Sequence, residues 1–153
     1  MVKQAKGGDM DLKDKWALIT GGTSGMGSAV ALAMAEKGAS VMITGHDETR
    51  GASTVEQIRA CGREAHFIAA DFAETSEVGR VADAAGEIDV LVNMAGFAAL
   101  GSTADTDEAA FDGLFQINVK APFFLVAALA RRSPPAAGDR SSTSQRWSPD
   151  TAS

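Results

Sequence analysis

The segment that most restricts how this chain can fold is Thr20-Gly-Gly-Thr-Ser-Gly-Met-Gly27, which continues the apolar run Trp16-Ala-Leu-Ile-Thr20. A short apolar run ending in glycine reads as a strand buried on both faces, as in a parallel sheet. Gly25–Lys37 behind it is rich in Ala and Met and reads as a helix, with Gly38 as its stop. Gly21, Gly25 and Gly27 permit a tight turn, clear side chains from the path of an anion and let the helix lie close to the strand. The helix then opens with free amides directed at that anion, and the hydroxyls of Thr23 and Ser24 add donors. Met26 belongs to the same turn. There is no Gly-Lys-Ser/Thr ending, which argues against a P-loop nucleotidase.

The alternation continues downstream. Ser40–Thr44 reads as a strand, Glu48–Cys61 as a helix ahead of Gly62, and His66–Ala70 as a strand. Ser76–Ala85 reads as a helix closed by Gly86, and Ile88–Val92 as a fourth strand. A long helix is expected from Asp107 to about Arg132, capped by Asp105 or Thr106 and bent at Pro122. Alternating strands and helices at this spacing predict an α/β fold, a Rossmann-type doubly wound parallel sheet that stops after about four strands. Residues 1–14 read as a flexible lead-in and 15–132 as one α/β domain. Residues 133–153, dominated by Ser, Pro, Arg and Asp, read as a disordered tail.

Composition removes other classes. The net charge of -6 argues against nonspecific nucleic-acid binding, which needs clustered cations, but leaves room for a phosphorylated ligand held by backbone amides. Cys61 is the only cysteine, so no intrachain disulfide forms, and a reducing compartment is expected. The first fifteen residues lack an apolar signal core, and the apolar run Ala121–Ala130 is too short to span a bilayer. The expected location is the cytoplasm, with no membrane partner. His46 and His66 have no companion ligands, so no metal site is expected.

The glycine spacing Thr-Gly-x-x-x-Gly-x-Gly resembles the short-chain dehydrogenase/reductase family. Three further segments resemble it in order: Asp71-Phe72, Asn93-Met-Ala-Gly96 (with Met94 where the family usually has Asn), and Phe111-Asp-Gly-Leu-Phe-Gln-Ile-Asn118-Val-Lys-Ala-Pro-Phe-Phe. The similarity runs from Leu12 to Arg132. It implies an NAD(P)-dependent oxidoreductase that transfers hydride between nicotinamide and an alcohol or carbonyl. By the same resemblance Asp71 meets the adenine amino group, Asn93 supports the sheet, and Ala95 and Gly96 let the ribose pass. Asn118 takes the place of the Asn in the catalytic tetrad. Read without the resemblance, Asp71 is a turn cap, Asn93 a strand-end residue and Asn118 an ordinary helix polar residue. Cofactor choice is read at Thr44-Gly-His-Asp47. NAD users commonly carry an acid there for the ribose hydroxyls. Gly45 holds the acid's position and His46 the place where many NADP users have Arg; the segment favours NADP over NAD, with Asp47 pulling the other way.

The family's Tyr and its nearby Lys are not found: the sequence has no tyrosine, and Lys120 is its last lysine. The proton donor and the cation that lowers its pKa are therefore unfilled, and the expected outcome is an inactive chain. A dinucleotide-binding or partner-binding module without catalysis is the alternative. An open sheet edge, loss of burial around Phe123, Phe124, Leu125 and Val126, and disruption of the family's oligomer are also expected. The tail has a specific explanation in a reading-frame shift near Arg131–Pro134. With one consistent choice of codons, Ser141 onward read one base earlier becomes Ile-Ile-Asn-Val-Thr-Ala-Met-Val-Ala-Gly, which resembles the strand carrying the family's catalytic Ser. The coding DNA tests this directly: the alternate frame should continue through that strand to a Tyr-x-x-x-Lys. Its absence there removes the explanation.

Overall fold

The computed structural model describes residues 11–99 and 101–132. Four strands, β1 (Trp16–Thr20), β2 (Ser40–Gly45), β3 (Ala65–Ala69) and β4 (Val90–Asn93), form one sheet in the order β3-β2-β1-β4. All pairings are parallel. Helices α1 (Gly25–Glu36), α2 (Glu48–Ala60) and α3 (Thr75–Ala85) provide the crossovers. After β4 come α4 (Glu108–Phe115), a π-helical turn (Gln116–Lys120) and α5 (Ala121–Ala130). The α/β class read from the sequence is what the chain adopts.

Both sheet faces are covered, which is why β1 is apolar without alternation. Ala17 and Ile19 join Val41, Ile43, Ala31, Ala35, Val55 and Ile58 on the α1–α2 side. Trp16 and Leu18 join Met42, Val78, Val81, Ala82, Leu125 and Leu129 on the α3–α5 side. Gly38, Gly62 and Gly86 follow their helices at positive φ (102°, 75° and 64°), where a side chain would be strained.

Several boundaries differ from the sequence reading for identifiable reasons. Leu12, assigned to the lead-in, is buried, and its N–H donates to the Lys37 carbonyl oxygen at 2.9 Å. The fourth strand begins at Val90 rather than Ile88. Before it, the Asp89 carboxylate accepts from the Trp16 N–H and from Lys15 Nζ, each at 2.9 Å, locking the segment onto β1 through a side chain. The long helix is capped by Asp107, whose carboxylate accepts from the Ala110 N–H at 2.7 Å, not by Asp105 or Thr106. Pro122 is accommodated by the π turn just ahead of it, within one helical run from Glu108 to Ala130. That run is long and apolar enough to cross a membrane, unlike Ala121–Ala130 alone. Ala121, Leu125 and Leu129 nevertheless bury themselves against the core beside α3. Leu125 is thus buried, contrary to expectation, while Phe123, Phe124 and Val126 are exposed. The tail, 133–153, lies outside the described residues.

Glu77 and Arg80 pair near the start of α3, with Glu77 Oε1 accepting from Arg80 Nε at 2.8 Å, and Arg80 also donates to the Ala69 carbonyl. The hydrogen bond and charge of Arg80 hold the Glu77 carboxyl below the usual glutamate range.

Two predictions follow from this packing. Leu125→Ala should lower unfolding stability by about 2–5 kcal/mol, whereas Phe123→Ala on the exposed face should stay within about 0.5 kcal/mol of the parent; urea unfolding measures both. A depressed carboxyl pKa stabilises the fold above the unfolded value and ceases to as pH falls through the folded one. The stability gap between the parent and Glu77→Gln should therefore be open at pH 7 and close below the ordinary glutamate pKa of about 4.3. A gap unchanged at pH 3 would contradict the assignment.

Candidate functional site

An open cleft of about 270 Å³ runs across the carboxyl ends of the strands. Parallel α/β sheets bind ligands at this place, because the strand-to-helix turns diverge there. Each turn contributes one wall. Gly21, Thr23, Ser24, Met26 and Gly27 come from the turn after β1, and Thr44, Gly45 and His46 from the end of β2. Ala70, Asp71 and Phe72 follow β3. Met94, Ala95 and Gly96 follow β4, and Ile117 reaches in from the π turn.

The glycines of the first turn are required by distances. A Cβ on Gly21 (φ 66°) would lie 2.8 Å from the Ala95 nitrogen, and one on Gly27 would lie 2.0 Å from the Gly21 carbonyl oxygen. Gly25 differs: it does not line the cleft, and its part is the positive φ of 53° with which α1 begins. Ser24, the residue before α1, makes no side-chain cap bond, and no acid occupies the first turn. Among the described residues, neither a capping side chain nor a first-turn acid meets the amides at the start of α1. By contrast, Asp47 caps α2 and Asp107 caps α4.

Asn93 ends β4 but faces a smaller cavity with Thr20, Phe72, Ile117 and Pro122. Asn118 lies behind the cleft wall. Its amide donates to the Phe97 carbonyl at 2.7 Å, and its Oδ1 accepts from the Phe97 N–H at 3.0 Å. The side chain therefore clamps the loop after Gly96. Its carbonyl has no ordinary helical partner from residue 122, because Pro122 has no N–H.

Asp71 performs the local task that its position alone suggested: its Oδ1 accepts from the Ala73 N–H at 3.0 Å. It also stands in the cleft wall beside Phe72, whose side chain is buried. Asp47 proves to be committed elsewhere. Its Oδ1 accepts from the Arg50 N–H at 2.9 Å, its Oδ2 lies 3.2 Å from Arg50 Nε, and it is not among the residues lining the cleft.

Sequence reading missed three positioning contacts. Thr20 Oγ1 accepts from the N–H groups of Met94 and Ala95, both at 3.0 Å, joining the first and fourth walls. Gln116 Nε2 donates to the Phe72 carbonyl at 3.2 Å, tying the third wall to the π turn. Thr44 Oγ1 is buried at the edge of the cleft with no hydrogen-bond partner among the described residues. Only the position of Thr20 ahead of the glycines hinted at any of these.

Comparison with known proteins agrees with this architecture. The profile of the short chain dehydrogenase family matches residues 15–138. An uncharacterized oxidoreductase of Thermotoga maritima is 42% identical over 118 residues, covering 76% of this chain and 47% of that protein. A short-chain dehydrogenase from Burkholderia cenocepacia, solved in complex with NADP, superposes with a TM-score of 0.76 at 37% identity, over 81% of this chain and 53% of its own. An NADH-dependent reductase complexed with NAD superposes with a TM-score of 0.74 at 32% identity, over 80% and 53%. The chain thus spans about half the length of the curated relatives it matches. With its glycine turn, four-stranded parallel sheet and cleft all in agreement with that match, the chain belongs to the short-chain dehydrogenase/reductase family.

Proposed function

We propose that the cleft binds a nicotinamide dinucleotide, NADP in preference to NAD, as the cofactor half of an oxidoreductase acting on an alcohol or carbonyl. The observation that carries this is the glycine cradle at α1. Gly21 and Gly27 lie where any side chain would collide with backbone, and no acid stands in the first turn of the helix beside them. Such a terminus favours a diphosphate. Ser24 and Thr23 would add hydroxyl donors, Asp71 would accept from the adenine amino group, and Ala95 and Gly96 would leave space for the ribose.

Preference for NADP rests on the β2 end. Gly45 brings no carboxylate, Asp47 is occupied by α2 and Arg50, and His46 is left facing the cleft. When bound, the cofactor supplies a hydride donor or acceptor. Asn118 would act by holding the loop around Phe97 in place. Its side-chain amide is engaged there, so its carbonyl is the group left for a water in a proton relay.

The sequence has no tyrosine and no lysine beyond Lys120, an observation that favours a second reading for the isolated chain, binding without turnover. We propose that hydride transfer needs the half of the fold that the longer relatives possess.

A thermal-unfolding scan of the 153-residue chain with each dinucleotide tests the first reading. At a hundred times its Kd a ligand stabilises the native state by about 2.7 kcal/mol. NADP should raise the Tm at lower concentration than NAD. A cooperative transition unmoved by either cofactor would overturn the proposal. Nicotinamide absorbance at 340 nm, followed with alcohols and ketones, should stay constant with this chain alone.

A further inference from the structure

β3 lies at one edge of the sheet, and where it ends the chain becomes the third wall of the cleft. In a parallel pair the N–H and C=O of one residue point to the same side, and those of the next residue to the other. The Ala70 N–H donates to the Gly45 carbonyl at 2.9 Å, so residue 70 faces β2. The Ala69 carbonyl and the Asp71 N–H therefore face away from β2, where a neighbouring strand would take both. Two side chains of α3 take them instead. Arg80 Nη2 donates to the Ala69 carbonyl, and the Asp71 N–H donates to the Glu77 carboxylate. The two side chains are themselves joined: Arg80 Nε donates to Glu77 Oε1 at 2.8 Å and Arg80 Nη2 to Glu77 Oε2 at 2.5 Å. A donor and an acceptor about one helical turn apart thus stand in for the missing edge of a strand. The other polar atoms of Asp71 are committed as well. Its carbonyl accepts from the Glu74 N–H and its Oδ1 from the Ala73 N–H, both at 3.0 Å. Oδ2 is left in the cleft wall with no hydrogen bond among the described residues. Where that oxygen lies depends on the direction in which the backbone leaves β3, and the two bonds from α3 set that direction.

We propose that Glu77 and Arg80 are positioning residues for the base end of the dinucleotide: by taking the place of a neighbouring strand beside β3, they fix the Asp71 backbone so that its free carboxylate oxygen meets the exocyclic amino group of the purine. This deepens the dinucleotide reading and rests on it. Neither side chain lines the cleft, so both act through Asp71. A second arginine on the same edge supplies a comparison. Arg59 Nη2 donates to the Ala65 carbonyl at 2.9 Å, the outward carbonyl at the other end of β3. It covers the edge strand in the same way, but at the end away from the cleft.

The test is calorimetry with two ligands, NADP and its hypoxanthine analogue, which carries an oxygen in place of the exocyclic amino group. The chains are the parent, Glu77→Ala, Glu77→Gln, Arg80→Ala and Arg59→Ala. The ratio of the two Kd values on one chain cancels any change in stability, which affects both ligands alike. The parent should hold NADP about tenfold or more tightly than the analogue, as a hydrogen bond to a charged acceptor does. Glu77→Ala and Arg80→Ala should bring that ratio to within about twofold of one. Glu77→Gln keeps an acceptor for the Asp71 N–H and should retain most of it, and Arg59→Ala should keep the parent's ratio. In ligand-free scans every variant should stay within about 5 °C of the parent Tm, because the pair is partly exposed. A ratio unchanged in Glu77→Ala and Arg80→Ala, no better kept by Glu77→Gln than by Glu77→Ala, or lost in Arg59→Ala would overturn the positioning role and leave the dinucleotide reading standing. So would a parent that binds both ligands equally, since Asp71 would then read nothing. A Glu77→Ala or Arg80→Ala chain without a cooperative transition would show that the pair holds the fold and not the wall, and would overturn the role too. A folded parent that binds neither ligand would overturn the dinucleotide reading, and this role with it.

Discussion

A methyl group at position 27 would sit 2.0 Å from the carbonyl oxygen of Gly21, and everything at the cleft depends on that contact. The start of α1 lies against the end of β1 as closely as two backbones permit. The turn between them is pulled over the strand ends instead of standing away from them. From that approach follow the contact of Gly21 with Ala95, the bond from Gly22 to Thr44, and the packing of Thr23 over Gly45. Thr20 extends the same arrangement sideways, its single hydroxyl accepting from two successive amides after β4. The cleft is thus a consequence of how tightly four turns are drawn together. A larger side chain at either glycine would separate them before it altered any ligand contact.

Much of the fold was legible because it is written in local chemistry. Buried strands announce themselves by unbroken apolar runs, and the stops at Gly38, Gly62 and Gly86 by the need for positive φ. The glycine turn was legible for the same reason. What escaped was set by tertiary register. Nothing in the neighbourhood of Gln116 says that its amide will meet the Phe72 carbonyl 44 residues away, or that Asn118 will grip Phe97. Two local roles compete for the Asp47 carboxylate, and in the fold it caps α2 and pairs with Arg50. Leu12 was assigned to the lead-in because an isolated leucine among charges carries no period; its burial depends on the end of α1 lying above it.

The helical run after β4 has one face in the core and its aromatics outside it. Ala121, Leu125 and Leu129 are drawn into the core beside α3, while Phe111, Phe115, Phe123 and Phe124 are each at least half exposed. Phe111 stacks on Phe115 with ring centroids 4.8 Å apart, and Phe123 meets Phe124 edge-on at 5.3 Å. These aromatics therefore cover part of one another's surface. The energetic weight of the run falls on the spacing of four residues that puts 121, 125 and 129 on one side.

The π turn at Gln116–Lys120 has a consequence for the phase of that helix. A residue accommodated in a π turn advances the following segment by about 100° relative to an unbroken α-helix. The π turn itself presents Gln116 and Asn118 to two loops, and the segment after it presents Leu125 and Leu129 to the core. A uniform helix would have to satisfy both demands with a single angular setting. The widened turn separates them, so the turn meets its loops while α5 is oriented for the core. Deleting one residue between 116 and 120 would restore ordinary helical bonding while rotating one set of contacts out of alignment with the other. The least regular turn of the helix is thus the one that holds the two loops and sets the angle of the helix after it.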